Sequence, residues 1–373
     1  MKGTDKPLPP NERTQIQMAT TARKPKKDPI VKRIGDFISR FIVMPAEELL
    51  IVSHYVLHTH QFSERVEQPN ATPYLYVYSA QKRSGKTLLG IDILGTLCRN
   101  FQGVNNVTSA TLFRLSATRC TLAIDEVDTI FNSRGSKNDD LVSSMNTGYR
   151  RGGYVPRVDP KTQEVIQFST FCPKILIGID NGMLKDTTRD RCIPIHMHRA
   201  TDAETANVEK FYHYRVEDEI EAIGQELYDW SFEHGTGVRD YDPAEMNVDN
   251  DRAFEVSVPL LQLGHVTGYE DDLRSALEKV FSENAAPENS PEMDMLLMIR
   301  EHFDEIGQER TTTEALLQHL QTDQRFRGLT GKGLKVKLDT FSIENKAIRF
   351  KTGVKRGYEK AAFADAWARY LDS

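Results

Sequence analysis

Paired cysteines are missing from this 373-residue sequence, which has four cysteines in all. They lie far apart and form no C-x-x-C pair, being Cys98, Cys120, Cys172 and Cys192. That spacing argues against a zinc site and against a disulfide framework, so a reducing, cytoplasmic setting is expected. We expect all four to be core thiols.

Long apolar runs are missing as well. No stretch approaches the roughly 18 residues that a membrane-spanning helix needs, and the N-terminal "MKGTDKPLPPNERTQ" lacks the apolar segment of a secretory signal. These absences predict a protein that has no membrane partner. The composition, 39% hydrophobic and 27% charged, is that of an ordinary soluble protein, and the length allows two or three domains.

Motifs for serine-nucleophile and zinc hydrolases are absent too. The sequence has no G-x-S-x-G, and no glutamate follows His54 as it would in an H-E-x-x-H zinc motif. His54 and His58 are spaced i, i+4 and could hold a metal, but we expect them to be structural residues of a helix. His196 and His198 share one face of a predicted strand, where a structural role is again the better interpretation.

Charge is abundant but unevenly distributed. Residues 1–40 carry ten Lys and Arg against four Asp and Glu, residues 201–310 carry eight against 28, and residues 324–360 carry eleven against three. Solubility is the simplest reason for a basic run. Interleaved aromatic residues nevertheless favour a nucleic-acid-binding face for the C-terminal run. They are Phe326, Phe341, Phe350 and Tyr358.

Short apolar runs alternate with helical patterns between residues 67 and 200. Four of them are typical of buried strands: "YLYVYSA" (74–80), "CTLAIDE" (120–126), "PKILIGID" (173–180) and "RCIPIHM" (191–197). This alternation predicts an α/β core with a parallel sheet between helices. Four further segments are predicted around it: a disordered basic arm (1–35), an N-terminal helical linker (36–66), an acidic helical lid (201–286) and a winged-helix-like basic domain (293–373).

The stretch "YLYVYSAQKRSGKTLLG", residues 74–90, is typical of a phosphate-binding loop between a strand and a helix. The usual pattern is G-x-x-x-x-G-K-[ST], and Ala80 replaces its first glycine. Gly85 permits close backbone approach, Lys86 reaches the β- and γ-phosphates, and the Thr87 hydroxyl ligates Mg²⁺. The predicted ATP site comprises Ala80, Gln81, Lys82, Arg83, Ser84, Gly85, Lys86, Thr87 and Leu88.

A second acidic motif, "TLAIDEVD" (121–128), supports a hydrolytic site. A hydrophobic strand that ends in Asp-Glu would place Asp125 beside Mg²⁺ and Glu126 where it can activate the attacking water. A solvated acidic turn is the alternative interpretation. Downstream, the predicted strand "ILIGIDNG" ends in Asp180 and Asn181, which could sense the γ-phosphate and orient that water.

Arginines follow that strand in "KDTTRDRC". In ring-forming ATPases an arginine at this point completes the site of the neighbouring subunit in trans, because the transferring phosphoryl group needs a cationic partner. Arg191 is preferred over Arg189 because "DRC" resembles the "SRC" arginine-finger motif of clamp-loader ATPases. A surface salt bridge is the alternative for either residue. Arg252, at the start of a lid helix, is a weaker candidate for a second, cis-acting arginine.

Two basic elements are candidates for contact with DNA. A hairpin at about 154–168 is predicted from two extended segments around "DPKTQ", with Arg157 and Lys161 near its tip and Arg150 and Arg151 at its base. DNA-translocating ATPases of the superfamily 3 and MCM type carry such a hairpin into the ring channel, although an ordinary sheet-edge hairpin would have the same pattern. The C-terminal run adds Lys332, Lys335, Lys337, Lys355 and Arg356 on a predicted helix and hairpin.

Together these segments resemble the AAA+ family. More closely, they resemble an actinobacterial and phage ATPase family catalogued as a domain of unknown function, found on mobile elements and beside primase-type replication genes. The likeness runs from about residue 36 to the C-terminus and includes "LKDTTRDRCIPIHMHR", "RAFEVSVPLLQLGHVTG" and "KRGYEKAAFADAWARYL". "RAFEVSVPL" lacks the tryptophan expected after the arginine, which leaves the role of Arg252 open.

The resemblance implies a replicative helicase-like DNA motor of a phage or mobile element, in a bacterial or phage-infected host cytoplasm. It would act as a homo-oligomeric ring, with a hexamer as one possible size, on single- or double-stranded DNA. An ATP-switched helicase loader or a protein-remodelling regulator is the alternative, which the acidic segment 201–310 would suit through a replication protein partner. A DNA-binding module with a vestigial ATPase is the third hypothesis.

Overall fold

The computed structural model of this chain describes residues 26–62, 69–105, 108–128, 136–159, 161–179, 184–236, 238–248, 250–284, 291–350 and 353–371. The chain forms two compact units, Met1–Asn284 and Ala285–Ser373. Within the described ranges, none of the helices has the length and apolar character that crossing a membrane requires.

The first described elements of this first unit are two helices, α1 (Pro29–Ser39) and α2 (Ala46–His60). Asp28 caps α1 through a hydrogen bond from Ile30 N, and Pro29 suits the first turn because a helix leaves that N–H unpaired anyway. The predicted disordered arm is therefore wrong for residues 29–35, whose apolar side chains pack into the core. The remainder of that arm, residues 1–25, lies outside the described residues.

The central part of the unit alternates strands and helices. In chain order its elements are β1 (Tyr74–Ser79), a π-helix (Leu88–Ile93) that continues as α3 (Leu94–Leu97), β2 (Phe101–Asn105), α4 (Ser109–Ser116), β3 (Thr121–Asp125), α5 (Ser136–Thr147), β4 (Tyr154–Val158), β5 (Val165–Ser169), β6 (Lys174–Ile179), α6 (Asp186–Arg189) and β7 (Cys192–His196).

Five strands form a parallel sheet in the order β2-β3-β6-β1-β7. Because alternate side chains of a strand point to opposite faces, Leu75 and Val77 enter one hydrophobic core and Tyr74 and Tyr76 enter another. The predicted α/β class and parallel sheet between helices are confirmed. The edge strand β2 was not predicted, because "FQGVN" contains Gly and Asn and is mostly exposed.

Helices complete the first unit. They are α7 (Asp202–Thr205), α8 (His213–His234), a 3₁₀ turn (Val238–Asp240), α9 (Asp251–Thr267) and α10 (Glu270–Glu283). His54 and His58 are buried and bond Thr267 and Thr72 through Nε2, at 3.0 and 2.8 Å. This agrees with the structural role expected of them. The four cysteines are buried and free, as expected.

The second unit has its own core and a small antiparallel sheet, ordered β8-β10-β9. Its elements are α11 (Pro291–Ile306), β8 (Arg310–Thr312), α12 (Thr313–Leu320), a 3₁₀ turn (Gln324–Phe326), α13 (Gly331–Asp339), β9 (Lys346–Phe350), β10 (Gly353–Glu359), a second 3₁₀ turn (Lys360–Phe363) and α14 (Ala364–Tyr370). Phe326 and Tyr358 are core residues, so the expectation that they belong to an exposed basic face is wrong.

Candidate nucleotide-binding site

The carboxyl edge of the five-stranded sheet brings the two predicted nucleotide motifs together. The phosphate loop (80–87) leaves β1 after Ser79, and β3 ends at Asp125, with only β6 between these two strands. Parallel strands end at the same edge of a sheet, where open α/β folds bind their ligands. Lys86 and Asp125, which are 39 positions apart in the sequence, therefore meet at one site.

The backbone of the phosphate loop is shaped to approach a ligand closely. Arg83 and Gly85 have positive φ angles of 65° and 84°, a conformation that turns successive N–H groups into one concavity suited to anions. A side chain on Gly85 would lie 3.0 Å from Ile42 Cδ1. Ala80 is not among the described residues with positive φ, and it is exposed, so its methyl group adds neither strain nor crowding.

Lys86 lies inside the loop and donates hydrogen bonds to loop oxygens. Its Nζ is 2.5 Å from Ser79 Oγ, 3.1 Å from Gln81 O and 3.4 Å from Ser84 Oγ. Burial lowers the pKa of Lys86, while nearby Asp128 and Asp125 act in the opposite direction. The ammonium group is thus held where phosphate oxygens could replace the oxygens of the loop.

Thr87 and Asp125 form the direct link between the two motifs. The Thr87 hydroxyl donates to Asp125 Oδ2 at 3.1 Å, and Asp125 Oδ1 accepts from Glu126 N at 2.8 Å. A hydroxyl and a carboxylate are hard oxygen donors, which fit Mg²⁺ when substrate phosphates supply further ligands. The described residues contain no group of three or more His, Cys, Asp or Glu side chains that could hold a metal.

Glu126 lies exposed at the same edge and has a positive φ of 56°. Asp128, to which no role was assigned from sequence, accepts a hydrogen bond from Ile179 N at 3.1 Å. It thereby ties the end of β6 to the segment after β3. The predicted sensor residues Asp180 and Asn181 come next in the chain and lie outside the described residues.

The helix that follows the loop packs tightly on the sheet. A Cβ atom on Gly90 would lie 2.4 Å from Ile177 Cδ1 of β6, so only glycine lets the π-helix come this close. Leu89 and Ile93 are buried on the same side, and Leu88 is partly buried. Gln81, Lys82 and Arg83 are exposed at the mouth of the loop. The position of the helix N-terminus is therefore fixed by close packing on β6.

Arg191 and Arg252 lie at the opposite, amino edge of the sheet. Arg191 O accepts from Tyr74 N at the first residue of β1, and Tyr149 O accepts from Thr72 N at 2.7 Å. A six-residue strand is about 17 Å long, so this edge is far from the phosphate loop of the same chain. Arg252 reaches Tyr149 and not that loop, which does not support the cis role assigned to it.

Tyr149 joins these arginines. The guanidinium carbons of Arg191, Arg252 and Arg150 lie 4.8, 5.0 and 5.2 Å from the centre of its ring, and Arg252 also donates to its hydroxyl. Glu255 pairs with Arg252 at 2.7 Å and with Arg150 at 2.6 Å. Arg189 instead lies 5.9 Å from the Tyr76 ring. We call Tyr149, Arg150, Arg191 and Arg252 the arginine cluster.

The predicted hairpin is a two-stranded antiparallel sheet in which Arg157 pairs with Ile166. The Arg157 guanidinium lies 4.5 Å from the Phe113 ring of α4 and donates to Pro156 O. It therefore packs against its own chain. Lys161 is exposed in the turn, and its N–H donates to Asp159 Oδ1 at 2.7 Å.

In the second unit, the predicted DNA-contacting residues lie on α13 and β10. Lys332, Lys335, Lys355 and Arg356 are exposed, and Lys337 is partly exposed. Lys335 pairs with Asp339 at 2.5 Å, and Arg356 donates to Asn345 O at 2.9 Å. Their side chains therefore present positive charge around one helix and one hairpin strand.

Comparisons with known proteins found a family match over part of the chain and a distant structural similarity. Residues 196–370 match a family model described as "Protein of unknown function (DUF3631)". Among curated proteins there is no match. A solved structure entitled "The A form apo structure of NrS-1 C terminal region-CTR(305-718)" is 12% identical, with a TM-score of 0.41, and the alignment covers 90% of this chain and 75% of that one. The matched family range begins after the phosphate loop and Asp125.

Proposed function

We propose that this chain is an ATP-hydrolysing P-loop enzyme of the AAA+ type. The observation that carries the proposal is the 3.1 Å contact between Thr87 Oγ1 and Asp125 Oδ2, beside the Lys86 ammonium group. These three groups are the ones that a hydrolytic P-loop site needs, and they come from two separate loops at one edge of the sheet. A chance match of the loop pattern would not require this meeting.

Each group has a defined task in hydrolysis. Lys86 binds the β- and γ-phosphates, and Thr87 and Asp125 would hold Mg²⁺, which when bound neutralises charge on them. Glu126 accepts a proton from water as the water oxygen bonds to the γ-phosphorus. The bond between that phosphorus and the β–γ bridging oxygen then breaks, which releases ADP and phosphate. Asp180 and Asn181 are proposed to orient the water.

We further propose that copies of the chain assemble head to tail, with a hexamer as one possible ring size. The arrangement would bring Arg191 of one copy to the ATP of the next, since Arg191 cannot reach the site of its own chain. Contact with DNA is assigned to Lys161 of the hairpin and to the exposed basic residues of the second unit. Winged-helix character is proposed for that unit, and replication of a phage or mobile element is the proposed setting.

ATPase activity with and without single- and double-stranded DNA tests the proposal, with Lys86→Ala as the key variant. We expect near-complete loss of hydrolysis in Lys86→Ala, because the γ-phosphate loses its cationic partner. Lys32→Ala is the control, and it should stay within about twofold of wild type because this lysine of α1 is exposed, pairs with Asp36 and belongs to no predicted site. Normal turnover by Lys86→Ala would refute the site.

One observation favours the second candidate function, an ATP-switched loader or remodelling protein. Arg157 packs on Phe113, which leaves Lys161 as the exposed basic residue among the two predicted in the hairpin. The DNA-motor proposal expects DNA to stimulate hydrolysis and Lys161→Ala to weaken that stimulation. Lys210→Ala, an exposed lysine of the lid, is the control. Hydrolysis that ignores DNA in the wild type would favour the loader.

A further inference from the structure

The arginine cluster carries more positive charge than its own chain neutralises at that place. Arg150 and Arg252 share one carboxylate, Glu255, while Arg191 bonds the carbonyl oxygens of Asn146 and Thr187, lies against the Tyr149 ring and interacts electrostatically with Asp190. A guanidinium group that bonds carbonyls and an aromatic face keeps its full charge. The cluster is therefore a cationic surface held rigidly by one buried tyrosine.

The cluster is open to an incoming molecule. The side chains of Arg252 and Arg150 are 30% and 58% exposed. A pocket of about 530 Å³ lies beside the cluster; Arg150 and Glu255 line it together with Arg151, Arg239 and Gln262, whereas Arg252 and Arg191 do not. Guanidinium groups bind phosphate oxygens through paired hydrogen bonds, so the exposed arginines of the cluster suit an anion with several negative oxygens.

The nucleotide site of the same chain cannot be the target. Tyr149 is fixed to the amino edge of the sheet through its bond with Thr72, whereas the phosphate loop and Asp125 lie at the carboxyl edge. A head-to-tail interface joins two different surfaces of identical copies, so it can pair the amino edge of one copy with the carboxyl edge of the next. The triphosphate of a neighbour then meets the arginine cluster.

We propose that Arg252 acts in trans, together with Arg191, on the ATP bound by the adjacent copy of the chain. The inference rests on the proposed ATPase function and deepens it, because it assigns the second arginine to the neighbour's site. Two guanidinium groups on one tyrosine ring would share the charge that develops on the γ-phosphoryl oxygens. Glu255 and the Tyr149 hydroxyl act as positioning groups, since both bond Arg252 and neither can stabilise an anion by charge.

A mixing experiment between two inactive variants separates action in trans from action in cis. Arg252→Ala lacks one arginine of the cluster but keeps its phosphate loop, and Lys86→Ala lacks the loop lysine but keeps its arginines. Because each variant lacks a group that hydrolysis needs, each alone should lose hydrolysis by about 10³-fold or more. When they assemble in equal amounts at random, about one interface in four joins an intact loop to an intact arginine cluster. We expect the mixture to regain about a quarter of wild-type turnover, and Arg252→Ala to bind a fluorescent ATP analogue as wild type does.

Controls make each outcome decisive. Arg33→Ala removes another partly exposed, salt-bridged arginine of the first unit and should leave turnover unchanged. Thermal unfolding checks that Arg252→Ala is folded, and Arg252→Lys, which keeps the positive charge, serves as a second variant for the same mixing experiment.

Two outcomes would contradict action in trans: a mixture that stays inactive, or an Arg252→Ala protein that loses affinity for the ATP analogue. Either would assign Arg252 to the nucleotide site of its own chain. Normal turnover with weakened DNA binding would assign the cluster to DNA, and a wild-type chain without ATPase activity would remove the proposed function itself.

Discussion

The two edges of the five-stranded sheet differ in the charge that they present. The carboxyl edge places the Asp125 carboxylate and the Thr87 hydroxyl near the Lys86 ammonium group, with Lys82 and Arg83 exposed at the mouth of the loop. The amino edge places three guanidinium groups around Tyr149 with one carboxylate, Glu255, between two of them. Under the proposed function, one edge would surround a metal-bound anion, and the other would receive the anion of a neighbouring copy.

This difference explains why neither edge is sufficient for the proposed hydrolysis. The carboxyl edge has the groups proposed to bind ATP and activate water, while the arginine cluster lies about 17 Å away, along the length of β1. Head-to-tail contact between copies would bring both sets of groups to one triphosphate. Predictions at each edge can therefore test the comparison, beginning with the group whose loss should cost the most.

Asp125→Asn should have the largest effect. The amide keeps the shape of the side chain and can still accept from Thr87, but it removes the negative charge that would hold Mg²⁺. We expect hydrolysis to fall by about 10³-fold, equivalent to about 4 kcal/mol of barrier, while nucleotide affinity changes much less. Steady-state ATPase assays over a range of Mg²⁺ concentrations measure this.

Asp92→Asn is the matched control for Asp125. It lies exposed on the π-helix that follows the loop and bonds no residue of the site. Its turnover should equal that of wild type. An Asp125→Asn protein with wild-type turnover at low Mg²⁺ would contradict the role of the carboxyl edge.

The carboxyl edge was more predictable from sequence than the amino edge, for a physical reason. The phosphate loop is one continuous stretch, and Asp125 ends an apolar strand, so both leave local patterns. Arg252 and Tyr149 are 103 positions apart, and their contact depends on how α9 packs beside the end of α5, which no local pattern encodes. The edge strand β2 was missed because its exposed residues show no apolar alternation.

Gly90→Val should have the next largest effect, through the support of the carboxyl edge. A branched side chain would overlap Ile177 of β6 and push the helix away from the sheet, with a cost of about 1–3 kcal/mol in unfolding free energy. Chemical denaturation measures that cost. Gly224→Ala in α8 is the control: no atom lies within 4 Å of the added Cβ, so about 0.5 kcal/mol of stabilisation is expected. Equal stability of Gly90→Val and wild type would contradict the close packing.

Glu48→Gln should alter the pH dependence of stability at the same edge. Glu48 is buried, and Oε1 accepts from His196 N at the end of β7. Burial raises the pKa of Glu48 from 4.5 to about 7. Because the folded pKa is the higher one, this group's contribution is most favourable below pH 4.5 and is lost as the pH rises through 7.

The glutamine variant removes that ionisation. We expect Glu48→Gln to gain about 1–2 kcal/mol on wild type between pH 5 and 8, as measured by denaturation at several pH values. Glu47→Gln, one residue earlier in α2, is the control, because its carboxylate is partly exposed and pairs with Lys279. Parallel pH profiles for wild type and Glu48→Gln would contradict the buried carboxyl.

Tyr149→Phe should have the smallest effect, and it tests the amino edge. The phenylalanine ring keeps the aromatic face for Arg191 and Arg150 but loses the hydroxyl that accepts from Arg252. Loss of one hydrogen bond of this kind is worth about 1 kcal/mol, so kcat should fall about fivefold. KM for ATP should stay constant, because Tyr149 does not contact the nucleotide site of its own chain. A rise in KM with constant kcat would contradict this expectation. It would mean that the arginine cluster contributes to the binding of ATP and not to the stabilisation of the transition state.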